Sequence, residues 1–211
     1  ASDLDAFSTL IGGDAATWET FLDAGREYVA TSDNYFIDSL SSAFQAAINL
    51  LPDAFEDPES GKPYDMAGNT AVQELFMTFA EAADDGISAG IPIGHADWGA
   101  GFQNEQWATV VTPAWMAGII AENADGIDGW QVSGTFPDGG GNWGGSFFSV
   151  PSTGENTGWA VKLADHLTSA DAAVQWFHET GQFPSQLEAI ENPDIAEAEN
   201  PFFGGQRLGQ V

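Results

Sequence analysis

Residues 139–150, GGGNWGGSFFSV, set a tryptophan in the middle of a glycine-rich loop that runs into an apolar segment. A large aromatic whose neighbours have almost no side chain cannot be shielded by them. Trp143 must therefore pack on another part of the fold or offer its face to a ligand. Upstream, Thr112-Pro113-Ala114-Trp115-Met116 places a second tryptophan where a β-like run gives way to a helix. Two such rings form a stacking platform for an uncharged cyclic molecule, and a sugar fits best: tryptophan covers the apolar C–H face of a pyranose while Asn or Asp serves its rim of hydroxyls. On this reading Trp143 and Trp115 are the platforms and Asn142 bonds the rim. Trp98, in Ala96-Asp97-Trp98, is a further candidate, or else a core residue. The remaining tryptophans, Trp18, Trp107, Trp130, Trp159 and Trp176, fall on apolar helical faces or strands and are expected in cores.

Other chemistry finds little support. His95, His166 and His178 lack metal-ligand spacing and read as surface or capping residues. There is no GxSxG elbow, and the glycine loop lacks the Lys-Ser/Thr ending of a phosphate-binding loop. Residues 123–129 faintly resemble a calcium loop, but the twelfth position counted from Asn123 is Gly134 rather than Glu, so a turn is the better reading. A carboxylate pair for glycoside hydrolysis has many possible members among 32 acidic residues, and that abundance makes any chosen pair uninformative. No catalytic residue, metal or cofactor is assigned. With no cysteine, thiol chemistry, disulfides and cysteine-bound zinc are absent.

Charge narrows the partners. Four basic residues against 32 acidic ones give a formal net charge of −28. Such a surface repels phosphate backbones, which excludes nucleic acid, and it disfavours anionic solutes, for which only Arg26, Lys62, Lys162 and Arg207 are available as clamps. No apolar run approaches the roughly 20 residues that cross a bilayer. The 43% apolar content supports a packed core.

The elements that must position these residues alternate between helix and strand. Apolar periodicity predicts helices over 17–30, capped by Thr17, and over 39–51. A third covers 69–85, capped by Asn69 and stopped by Gly86. Shorter helices are expected near 97–105 and 115–123, and two more at 156–167 and 170–180, the last capped by Ser169. Strands are expected over 107–112 and 130–136, with a buried one over Ser146–Pro151. Residues 52–68 carry the Pro, Gly and Asp punctuation of a loop. The class is α/β.

The ordered series W-A-T-V-V-T-P-A-W-M-A-G, G-G-G-N-W-G-G-S-F-F-S-V-P, A-x-x-L-A-D-H-L-T-S, G-Q-F-P-S and N-P-F-F-G-G, read from Trp18 to Gly205, resembles the extracellular solute-binding proteins of carbohydrate ABC importers. The likeness is to the cello-oligosaccharide-type, actinobacterial members. It implies a type II periplasmic-binding-protein-like fold with two lobes joined by a hinge, the sugar lying in the interlobe cleft and closure following from differential contacts to the ligand. It assigns 1–138 to the C-terminal lobe, 139–145 to a hinge crossing and ligand loop, 146–205 to an excursion into the N-terminal lobe, and 206–211 to a return towards the hinge. It also adds Asp38, in a region that contacts sugar in relatives, to the site candidates; the residues alone allow a helix cap there.

The expected function is capture of a neutral oligosaccharide (cello-, xylo- or related) and its delivery to ABC permease transmembrane subunits. The alternatives are a glycoside hydrolase and a cell-surface structural or adhesive protein. The resemblance implies an extracellular, cell-surface location, with the lipid anchor on a part absent from this sequence. Because members of that family are close to twice this length, the chain is expected to be incomplete, the remainder of the same protein being missing or a separate polypeptide. The apolar residues of 146–205 would then lack a surface to cover them.

Overall fold

A computed structural model describes residues 2–57, 59–63, 68–124, 126–140 and 143–211. The chain forms two compact units. One comprises Ala1–Pro113, Asn123–Ile127 and Ser133–Trp143; the other comprises Ala114–Glu122, Asp128–Val132 and Gly144–Val211.

The first unit is organised around a short parallel sheet. Strand β1 (Tyr35–Ile37) pairs with β4 (Trp107–Thr109) in the register Tyr35↔Trp107 and Ile37↔Thr109. On its other edge β1 bonds to residues 87–89, with Phe36 N donating to Ile87 O at 2.9 Å and Ala89 N donating to Ile37 O at 3.0 Å. Phe36 and Ile37 are buried, as expected of a strand enclosed by neighbours on both edges. Helix α1 (Ser2–Leu10) precedes α2 (Trp18–Val29), whose start is fixed by a capping box between Thr17 and Thr20. The Thr17 hydroxyl accepts from Thr20 N, and the Thr20 hydroxyl accepts from Thr17 N at 2.9 Å. Trp18, Phe21, Leu22, Ala24 and Gly25 form the buried face of α2 and join Phe36, Ile37, Ile87 and Val111 in the main core. Each large side chain fully removed from water contributes about 1.5–3 kcal/mol.

Helix α3 (Leu40–Ile48) packs on α4 (Thr70–Asp84), where Phe44 meets Phe79 edge to face at 5.6 Å between centroids. Ser39 caps α3 by accepting from Ser41 N, and Asn69 caps α4 by accepting from Val72 N. The loop between them contains a small hairpin of β2 (Glu56–Asp57) and β3 (Lys62–Pro63). Arg26 links α2 to the end of α4, bonding Asp85 at 2.6 Å and Asp23 at 2.7 Å. Helix α5 (Trp98–Gln103) leads into β4, whereas α6 (Ala117–Asn123), after a 3-10 turn at Ala114–Met116, falls almost wholly in the second unit.

The second unit is mainly helical. Helix α8 (Ala170–Thr180) packs on α7 (Thr157–Leu167) and on the short helices α9 (Leu187–Ile190) and α10 (Pro193–Ala196). Among its described residues the fully enclosed apolar side chains are few: Met116, Ile120, Ala189, Ile195 and Phe203. A hairpin of β5 (Glu199–Asn200) and β6 (Gln206–Arg207) is tied to residue 132 by both ends of the Gln206 amide. Val132 N donates to its Oε1 at 2.7 Å, and its Nε2 donates to Val132 O at 2.8 Å.

Three expectations from the sequence need correction. Residues 130–136 form no strand, and neither do 146–151, where Phe147 is 92% exposed. Apolar composition supplies strand propensity, but a strand exists only where another segment offers backbone partners. Trp159 and Trp176 are not core residues: they are 72% and 55% exposed, and neither α7 nor α8 buries any side chain fully. With Leu163 and Leu167, Trp159 forms an exposed apolar stripe at the i, i+4, i+8 spacing of one helical face. Lys162 lies over the Trp159 ring, 4.7 Å from its centroid.

Candidate functional site

Parallel strands send their following loops out at one end, and ligands of open α/β sheets bind outside those carboxyl ends. In the first unit that end is formed by Asp38-Ser39 after β1, by Gly90–Ile93 after the third segment, and by Val110–Pro113 after β4. Asp38 ties these pieces together. Its backbone N–H donates to Thr109 O at 3.3 Å, and its carbonyl accepts from Ile91 N at 3.0 Å. Its side chain is fully buried: Oδ1 accepts from Ser39 N at 2.6 Å and Oδ2 accepts from Trp98 Nε1 at 2.9 Å. Burial pushes the Asp38 carboxyl up to about 7, outweighing the opposing influence of the bonds from Trp98 and Ser39. Nearby, the Ser88 hydroxyl accepts from Leu40 N at 3.1 Å, and the Thr109 hydroxyl donates to Phe36 O at 2.6 Å.

Behind Asp38 stands an aromatic column. Trp98 packs edge to face on Phe102 at 4.7 Å, and Phe102 on Trp107 at 5.3 Å. Trp98 is 3% exposed. In this arrangement its ring is committed to the column and its N–H to Asp38, so both residues support the strand ends from inside rather than facing solvent. Two polar atoms in this region have no partner among the described residues, the buried hydroxyl of Thr112 and the indole Nε1 of Trp107. Nothing in the sequence distinguishes Thr112 from a strand-end threonine; only the fold reveals an unsatisfied hydroxyl, which costs about 1–3 kcal/mol where it stays unmatched.

The loop carrying Trp143 is shaped by consecutive left-handed residues. Asp138, Gly139 and Gly140 have φ of 55°, 82° and 81°, and Gly144 has 75°. Glycine adopts this region without the steric cost a side chain incurs, which accounts for the loop's composition. Asp138 N donates to Ala16 O at 2.8 Å, pinning the loop beside the start of α2. Trp143 is partly buried, one part of its surface packed on the core cluster that contains Trp18 and Phe21. Trp115 belongs to the second unit and is 48% exposed. Asn142 lies outside the described residues.

The histidines build no reactive centre. His178 Nε2 lies 3.2 Å from Asp194, and His95 Nδ1 accepts from Asp97 N, both at the surface. Among the described residues no group of His, Asp and Glu is gathered in a metal-holding cluster, and no helix is long and apolar enough to cross a membrane.

The family model of the bacterial extracellular solute-binding protein matches residues 1–203. No curated protein matches the chain. Among solved structures, a crystal structure titled as an extracellular solute-binding protein family 1 member is 30% identical with a TM-score of 0.89, covering 100% of this chain and 53% of its own. An ABC-transporter-associated binding protein from B. animalis subsp. lactis Bl-04, in complex with beta-1,6-galactobiose, is 22% identical with a TM-score of 0.72, covering 99% of this chain and 56% of its own. The chain thus spans about half the length of the solved structures it resembles.

Proposed function

Since the chain belongs to the bacterial extracellular solute-binding proteins, non-enzymatic components of ABC transport, we propose that it captures a neutral oligosaccharide and presents it to the permease subunits of an importer, leaving the sugar intact. The observation that carries this reading is Trp143: a partly exposed indole seated on the hydrophobic core and held in a glycine-shaped loop. A rigid, half-supported aromatic face suits the C–H face of a pyranose and loses little entropy on binding. Trp115, half-exposed on the second unit, is a second stacking candidate. Asn142 beside Trp143 is retained as a hydroxyl partner from the sequence pattern. Asp38 and Trp98 serve by holding the strand ends.

Charge supports the choice of solute. At a formal −28, the chain repels anions, and the column from Asp38 to Trp107 contains no cation to recognise one. The galactobiose-bound neighbour lends support for a sugar in general; the cello- or xylo-type remains the preferred class from the sequence likeness. A glycoside hydrolase is set aside because the family performs no chemistry on its solute. The test is calorimetric titration with cellobiose, xylobiose, maltose and galactobiose, followed by chromatography of the recovered sugar. Saturable binding of at least one, recovered unchanged, is expected; steady release of monosaccharide would overturn the proposal.

A further inference from the structure

Among the described residues, the surroundings of Asp38 contain no ionisable partner. Helix α3 (LSSAFQAAI), helix α5 (WGAGFQ), residues 87–91 (ISAGI), strand β4 (WAT) and residues 110–113 (VVTP) carry no ionisable side chain. The ionisable groups that flank these segments are Tyr35, Asp85, His95, Asp97 and Glu105, all exposed, and His95 lies beside Asp97. A fully buried carboxylate is thus held by N–H donors without a counter-charge, chiefly one from Ser39 at the start of α3 and one from Trp98 at the start of α5. Burial without a counter-charge favours the neutral acid, whereas two N–H donors favour the carboxylate.

We propose that Asp38 and Trp98 form a proton-linked clasp at the carboxyl ends of β1 and β4, which holds the first unit more firmly on the acid side of neutrality than on the alkaline side. The folded-state pKa of about 7 supports the direction. It lies above the ordinary aspartate value of 3.8, so the folded chain takes up a proton more readily than the unfolded one. The stability this adds is fully present below the unfolded pKa and is lost as pH rises through about 7. The charge then remains enclosed, restrained by Ser39 and Trp98, and opening of α5 away from β1 becomes easier because it lets water reach the carboxylate. The clasp operates on the first unit whether or not a sugar is bound.

The decisive measurement is a carbon-13 NMR titration of the aspartate carboxyls in the intact chain from pH 4 to 9, beside Tm against pH for wild type, Asp38→Asn and Trp98→Phe. One carboxyl resonance, missing in D38N, is expected to titrate near neutrality. The wild-type Tm should fall between pH 5.5 and 8.5 more steeply than that of D38N, whose amide cannot ionise; the exposed histidines act equally in both and cancel. In W98F, which removes one donor to the carboxylate, the Asp38 midpoint should move upward. A carboxyl titrating near 4 at this position, or parallel Tm profiles for wild type and D38N, would overturn the proposal. If D38N fails to fold, the wild-type titration and the W98F shift still decide it.

Discussion

Gly101 and Trp107 share a space that cannot hold a methyl group: a Cβ at position 101 would lie 1.8 Å from Trp107 Cη2 and 2.1 Å from its Cζ3. The indole lies flush against the α5 backbone, which brings α5 close enough to β4 for Phe102 to reach Trp107 and for Trp98 to reach Asp38. The helix-to-strand spacing thus governs the support of the strand ends.

Gly101→Ala should therefore destabilise the first unit by about 3 kcal/mol, the upper end of overpacking costs, because the obstacle is a buried ring rather than a mobile side-chain tip. Gly158→Ala, on α7 where nothing lies within 4 Å of the added carbon, should instead stabilise by roughly 0.5–1 kcal/mol. Chemical denaturation of both variants checks the contrast; equal effects would show that α5 does not approach β4 this closely.

Thr112→Val tests the cost of an unmatched buried hydroxyl. Its Oγ1 makes no bond among the described residues, so an isosteric methyl should leave Tm unchanged or raised. A clearly lowered Tm in thermal denaturation would show that the hydroxyl has a partner in solution.

Trp159→Gln should change stability by less than about 0.5 kcal/mol, as surface substitutions generally do, since the ring is 72% exposed. A loss of 3 kcal/mol or more in denaturation would show that Trp159 is enclosed in solution.

How far the sequence could be read depended on the range of the interactions involved. Helices α2, α4 and α8 were legible because their apolar periodicity and their caps are local: Thr17, Asn69 and Ser169 each accept a backbone N–H within three residues. Strand β1 was not, because three residues, of which only Phe36 and Ile37 are buried, are too few to show a period, and their partners lie about 50 and 70 residues away. The bond between Trp98 and Asp38 spans 60 residues, so each could be nominated alone but their pairing could not be foreseen. The stripe of Trp159, Leu163 and Leu167 shows the converse limit: periodicity identifies an apolar helical face without saying what covers it. At Trp143 the glycine flanks correctly ruled out shielding by sequence neighbours, while the core that supports the ring is assembled from distant residues.

Calorimetric titration of wild type and Trp143→Ala with the tightest-binding oligosaccharide of the panel, beside the Tm of each protein, tests most directly whether Trp143 is the stacking platform for a neutral sugar. The predicted result is saturable binding by wild type, weakened by about 1–3 kcal/mol in the variant with only a minor change in Tm, as expected for the loss of an aromatic contact at a binding site. Affinity equal to wild type in a folded W143A protein would contradict it.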